Sequence, residues 1–134
     1  MPSVSVASQW IESAEQRELN AARAAWAQHK LSDYAFTLES GGVFGSMKYR
    51  VTVENGRCKK VTYWVRLRRH KASCHKRTVP ALFDELDRVI KAQPISLTVR
   101  FDATYGFPTE VVVEPASNLT DQSWWYSVSC FRAK

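Results

Sequence analysis

The residues best equipped for chemistry lie in one run, Arg66-Leu67-Arg68-Arg69-His70-Lys71-Ala72-Ser73-Cys74-His75-Lys76-Arg77. The chain carries 19 Lys and Arg against 13 Asp and Glu. Removing the six cations of this run leaves thirteen against thirteen, so the whole formal charge of +6 resides in twelve residues. Like charges this close repel, so the run is comfortable either in open solvent or against an anion. Two readings follow. One is a solvated strand end and loop. The other is contact with an acidic partner (nucleic acid, anionic lipid, phosphorylated glycan or acidic protein) through Arg66, Arg68, Arg69, His70, Lys71, His75, Lys76 and Arg77. Trp64 and Tyr63 adjoin the run but stand on opposite faces of a strand, which is poor support for a base-stacking platform.

Other chemistry has less to build on. Cys58, His70, Cys74 and His75 follow a C-x11-H-x3-C-H spacing that matches no common paired zinc pattern, so no metal is expected. Three cysteines allow at most one internal disulfide. A chain of 134 residues does not require one, and three reduced thiols is the simplest expectation. In an exported chain the preferred bridge joins Cys58 to Cys74, pinning the cationic loop to its own strand. There is no G-x-S-x-G elbow, HExxH, P-loop or GxGxxG, and His29 stands alone near a helix end. Hairpin pairing could juxtapose Asp102 with Glu110 or Glu114 with Asp121, but exposed strand carboxylates are common and inert. The expected protein is not an enzyme and needs no cofactor.

Two aromatic segments are candidate contacts. In Asp102-Ala103-Thr104-Tyr105-Gly106-Phe107-Pro108, Asp102 can cap turn amides, Gly106 can take a positive φ, and Pro108 fixes re-entry into the next strand. Tyr105 and Phe107 would then form an exposed lip if the loop has a function. In Trp124-Trp125-Tyr126, either alternation buries one face and leaves Trp125 or its neighbours for a sheet surface or dimer interface, or the strand is buried on both faces by helix and sheet curvature.

The elements that carry these residues read as follows. Ser13 and Gln16 form a capping box ahead of a helix over 14–30, with Leu19, Ala22, Trp26 and His29 on one face. Tyr34, Phe36 and Leu38 alternate as a half-buried strand. Strands from Met47 to Glu54 and from Arg57 to about Arg69 flank Asn55-Gly56, the strongest type I′ hairpin signal. Along the second of these, Val61, Tyr63, Val65 and Leu67 point one way, and Lys60, Thr62, Trp64, Arg66 and Arg68 the other. Thr78 caps a second helix with Pro80 in its first turn and a stripe of Val79, Leu82, Phe83, Leu86, Val89 and Ile90. Three further strands follow: Ile95 to Asp102, Thr109 to Glu114 and Ser123 to Phe131. The expected fold is a single α+β domain over 1–134, in the order α-βββ-α-βββ, with about six antiparallel strands, two helices on one face, and residues 1–12 as a loose lead-in. The first cation is Arg17, so no secretory signal is expected, and no apolar run approaches the about 18 residues of a membrane span.

Several of these signatures, in order, resemble a bacterial family known as domain of unknown function 6174. They are Trp26 with Ser32-Asp33-Tyr34-Ala35-Phe36-Thr37, Arg50-Val51-Thr52-Val53-Glu54-Asn55-Gly56, Thr78-Val79 with Leu82-Phe83, Phe101 to Pro108, and Asp121 with Tyr126-Ser127-Val128. The match spans roughly Ala21 to Phe131. It implies a small α+β domain, often exported or lipid-anchored, hence periplasmic or secreted, with no assigned activity; a chain without a signal also fits the cytoplasm. The functional expectation is a non-catalytic binding module of the bacterial cell envelope, a monomer or homodimer, that engages a protein or small ligand. The alternative is a polyanion-binding module acting through residues 66–77.

Overall fold

Ser13 opens the first helix, α1 (Ala14–His29), by accepting the Gln16 amide on its hydroxyl at 3.1 Å. A computed structural model describes residues 13–115 and 123–134. The expectations for residues 1–12 and for Asp121 lie outside that range. The reciprocal half of the capping box is not made. The Gln16 side chain reaches instead to Asn20 at 3.2 Å and to Asp87 at 3.0 Å, tying α1 to the second helix, α2 (Val79–Lys91). A bond from Lys91 at 2.8 Å, assisted by Gln16, holds the Asp87 carboxyl below its ordinary range. Thr78 caps α2 by accepting the Ala81 amide at 3.3 Å.

Among the described residues seven strands accompany the two helices, four before α2 and three after it: β1 (Tyr34–Gly42), β2 (Gly45–Glu54), β3 (Arg57–Val65), β4 (Arg68–Ala72), β5 (Ser96–Phe101), β6 (Pro108–Glu114) and β7 (Trp124–Ala133). They form one antiparallel sheet in the order β4-β3-β2-β1-β7-β6-β5, so the fold is α+β. The expected six strands become seven because the chain reverses at Arg66-Leu67, where φ is +51° and +66°. Arg and Leu give no sign of such a turn, which ordinarily selects Asn-Gly, the pair the chain uses at 55–56. The order is therefore α-ββββ-α-βββ.

Tyr34 shows how the layers meet. Its ring packs edge-on against Trp26 of α1 at 5.1 Å and stacks on Phe131 of β7 at 5.6 Å, while its hydroxyl accepts the Val79 amide of α2 at 3.1 Å. Leu19, Ala22 and Trp26 of α1 and Val79, Leu82, Phe83 and Leu86 of α2 join one core with Phe36, Leu38, Val51, Val53, Val61, Val111 and Val128. Each large apolar side chain buried here contributes about 1.5–3 kcal/mol.

A β-bulge decides what β7 presents. Pairing runs Thr37↔Ser129 and then Ala35↔Arg132, with Cys130 at φ +52°. One extra residue switches the alternation. Phe131 therefore turns onto the core, and Arg132 lies opposite Ala35 on the outer face.

Candidate anion-binding surface

The basic run is divided by the turn at 66–67. Pairing of Val65↔Arg68, Trp64↔Arg69, Tyr63↔His70, Thr62↔Lys71 and Val61↔Ala72 follows from it. Val61 faces the core, so Arg68 and His70 share its side of the sheet, while Arg69 and Lys71 share the outer side with Thr62 and Trp64. This corrects the expectation that Arg66 and Arg68 extend the face of Lys60, Thr62 and Trp64. Arg66 sits in the turn, and the alternation restarts after it.

The remaining candidates of the run separate further. The His70 ring stacks on Tyr63 at 5.2 Å, and the His75 amide donates to the Ser73 hydroxyl at 3.0 Å. Lys76 leaves the hairpin and lines an open groove of about 660 Å³ with Glu85, Arg88, Val89, Ala92 and Trp124. The Arg77 guanidinium lies 4.1 Å over the Tyr49 ring and donates to the Ser73 carbonyl, so its role is packing. The three-thiol expectation is corrected too. Cys58 and Cys74 form a disulfide with Cα atoms 5.7 Å apart, because β3–β4 pairing brings the ends of the hairpin base within bridging reach. Cys130 is a free, exposed thiol.

The sheet adds cations that the linear run does not contain. Lys48 and Arg50 of β2 pair with Glu39 and Thr37 of β1, Arg50 also pairs with Thr62 of β3, and Lys60 of β3 pairs with Thr52. Together with Arg132 they share the outer face with Arg69 and Lys71. Adjacent strands lie about 4.8 Å apart, so these charges fall within roughly one Debye length of their neighbours at physiological salt. The carboxylates of these strands are Glu39, opposite Lys48, and Glu54, paired with Lys59 at 3.1 Å. Among the described residues no carboxylate forms an ion pair with Lys48, Arg50, Lys60, Arg69, Lys71 or Arg132. Arg50 is held in place by donating to the Thr37 hydroxyl at 3.2 Å and the Cys130 carbonyl at 3.0 Å. Trp64 stands among them with 66% of its surface exposed. A depression of about 220 Å³ lies at the hairpin base, lined by Lys59, Lys60, Val61, Lys71, Ala72 and Cys74. The alternation of cations at 48, 50 and 60 is visible in the sequence, but only the strand order shows that they meet Arg69 and Lys71.

The aromatic candidates fare differently. Phe107 is 4% exposed and stacks on Phe131 at 4.4 Å, so it forms no lip. Tyr105 is half-buried between His29 at 4.8 Å and Phe131 at 5.1 Å. The turn folds beneath α1, where His29 Nε2 lies 2.8 Å from the Thr104 carbonyl oxygen. Trp125 is half-buried on the outer face over Gly41, where a Cβ would come within 2.9 Å of its ring. Asp102 is committed to the Thr104 and Tyr105 amides at 3.1 and 2.8 Å, and Glu110 to Arg100 at 3.6 Å, so they form no carboxylate dyad.

Tyr126 is buried with no hydrogen-bond partner for its hydroxyl among the described residues. Burial, reinforced by Glu85, drives its pKa far above the ordinary tyrosine value. No described group of three His, Cys, Asp or Glu could hold a metal ion, and no described helix is long and apolar enough to cross a membrane.

No curated protein matches the chain. The profile of a family of unknown function (DUF6174) matches residues 18–133, from within α1 to the last residue of β7, and the chain belongs to that family.

Proposed function

We propose that this protein is a non-catalytic binding module of the cell envelope that holds a polyanionic partner on the outer face of β4, β3 and β2. The observation that carries the reading is the set of six cations, Lys48, Arg50, Lys60, Arg69, Lys71 and Arg132, brought to one face where Glu39, opposite Lys48, is the carboxylate among them and none of the six forms an ion pair among the described residues. Charge on an edge strand also discourages pairing with other sheets, but one or two cations suffice for that. The opposite edge, β5, manages with Arg100 alone, and that residue is paired with Glu110. The surplus on the β4 side favours an anion whose charges repeat over several strand spacings. The Cys58–Cys74 bridge supports an oxidising compartment, where structural disulfides persist.

The test is heparin binding at two salt concentrations, comparing the wild type with a variant carrying Lys48→Ser, Lys60→Ser, Arg69→Ser and Lys71→Ser. These four side chains are exposed and outside the core. The expected result is salt-sensitive binding by the wild type and a weaker, less salt-sensitive interaction in the variant. Equal affinity and equal salt slope would overturn the reading.

A further inference from the structure

Two hairpin tips project from the same end of this cationic half-sheet, and each exposes a large apolar residue where turns ordinarily are polar. The β1–β2 turn is Val43-Phe44, and the β3–β4 turn is Arg66-Leu67. Antiparallel pairing of Gly42 with Gly45, Arg50 with Thr62, and Val65 with Arg68 carries both turns to one end of the sheet. Phe44 and Leu67 are essentially fully exposed, at 102% and 93%, with Val43, Met47 and Val65 partly exposed behind them. Packing does not account for either tip residue. Leu67 also takes φ +66°, a conformation that a leucine adopts only at a cost.

Cations collar these points: Arg66 in the turn itself, Arg68 and Arg69 after it, and Lys48 next to Met47. We infer that the two tips insert into an anionic bilayer surface, with Phe44 and Leu67 entering the boundary between headgroups and acyl chains while Arg66, Arg68, Arg69 and Lys48 meet the lipid phosphates. This deepens the polyanion reading above and rests on it. Two separated protruding points would require a matching pair of cavities in a protein partner, whereas a bilayer yields to them. A nucleic acid would gain nothing from aliphatic tips. Apolar insertion and surface charge act together in such binding, each too weak alone to hold a small domain.

The experiment is co-sedimentation of the full chain with phosphatidylcholine vesicles, with and without phosphatidylglycerol. The proteins compared are the wild type, Phe44→Ser with Leu67→Ser, and the single Phe44→Ser variant, each also measured for binding to heparin and to single-stranded DNA. The wild type is expected to sediment only with the anionic vesicles. The double variant should lose at least about a hundredfold in partitioning while retaining heparin affinity, with the single variant intermediate. Wild-type protein that ignores anionic vesicles, or a double variant that sediments like wild type, overturns the inference. If heparin binding persists in either case, the polyanion reading survives. If single-stranded DNA is bound tightly and vesicles are not, the partner is a nucleic acid and the bilayer is excluded.

Discussion

Gly106→Ala tests how the turn between β5 and β6 is seated. Gly106 has φ +89°, and a Cβ built on it would lie 2.5 Å from the Ala22 carbonyl oxygen, 3.1 Å from the Ala25 Cβ and 3.3 Å from the Trp26 amide nitrogen. Neither side can retreat easily. The turn is held by the Asp102 carboxylate on two amides, by Asp102 N to the Phe107 carbonyl at 2.8 Å and by Gly106 N to the Asp102 carbonyl at 3.0 Å. The helix is held by Trp26 in the core. The left-handed backbone costs an alanine about 1–2 kcal/mol, and the collision adds roughly 1–3 kcal/mol, so the loss should be about 2–5 kcal/mol. Gly56→Ala is the control, because φ there is +74° but nothing lies within 4 Å of the added carbon. It should show only the backbone cost, about 1–2 kcal/mol. Urea unfolding followed by tryptophan fluorescence measures both, provided the m-values agree. Equal losses within about 0.5 kcal/mol would refute the claim that α1 presses on this turn.

Two tyrosine hydroxyls make a matched pair. Tyr34→Phe removes the acceptor of the buried Val79 amide and should destabilise by about 1–3 kcal/mol, whereas Tyr126→Phe deletes a hydroxyl with no partner among the described residues and should be neutral or slightly stabilising. Calorimetry of both decides it, and a larger loss for Tyr126→Phe would reverse the assignment. Reduction of Cys58–Cys74 reopens a loop with a sequence separation of 16 and should cost about 3 kcal/mol, seen as a fall in Tm of roughly 10 °C. A fall of less than about 2 °C with the bond chemically cleaved would show that the bridge contributes nothing.

The sequence made most of the scaffold legible, and the reasons differ by element. The stripe of α2, the alternation of β1 and the Asn55-Gly56 turn are local patterns that the structure keeps, because in each case local preference and core burial agree. The reading failed at Arg66-Leu67, since a turn built from residues that disfavour it leaves no local trace. The lip expected of Phe107 failed for another reason: nothing local to the turn reveals that α1 lies over it. The candidate surface was half legible. Its charge density is plain in residues 66–77, but Arg77 was absorbed by Tyr49 and Lys76 carried to α2, while Lys48, Arg50, Lys60 and Arg132 were recruited by strand order and by the bulge at Cys130.

The β3–β4 hairpin gathers several residues that folding disfavours. β4 is an edge strand of Arg68, Arg69, His70, Lys71 and Ala72, poor in β-formers, and joined to β3 by a left-handed Arg-Leu turn. The neighbouring β2–β3 hairpin shows the same chain using Asn-Gly where only a turn is needed. The side-chain contacts that hold β3 to β4 lie on the core side or at the base: Val61 against Ala72, Tyr63 stacked on His70, and the Cys58–Cys74 bridge. None of these contacts uses the outer face or the tip. Stability is thus supplied from the core side and the base, and neither the outer-face cations nor the exposed Leu67 at the tip takes part in these contacts. Local violations compensated by contacts elsewhere are where functional surfaces are expected, and this hairpin also carries Arg69 and Lys71 of the face proposed above.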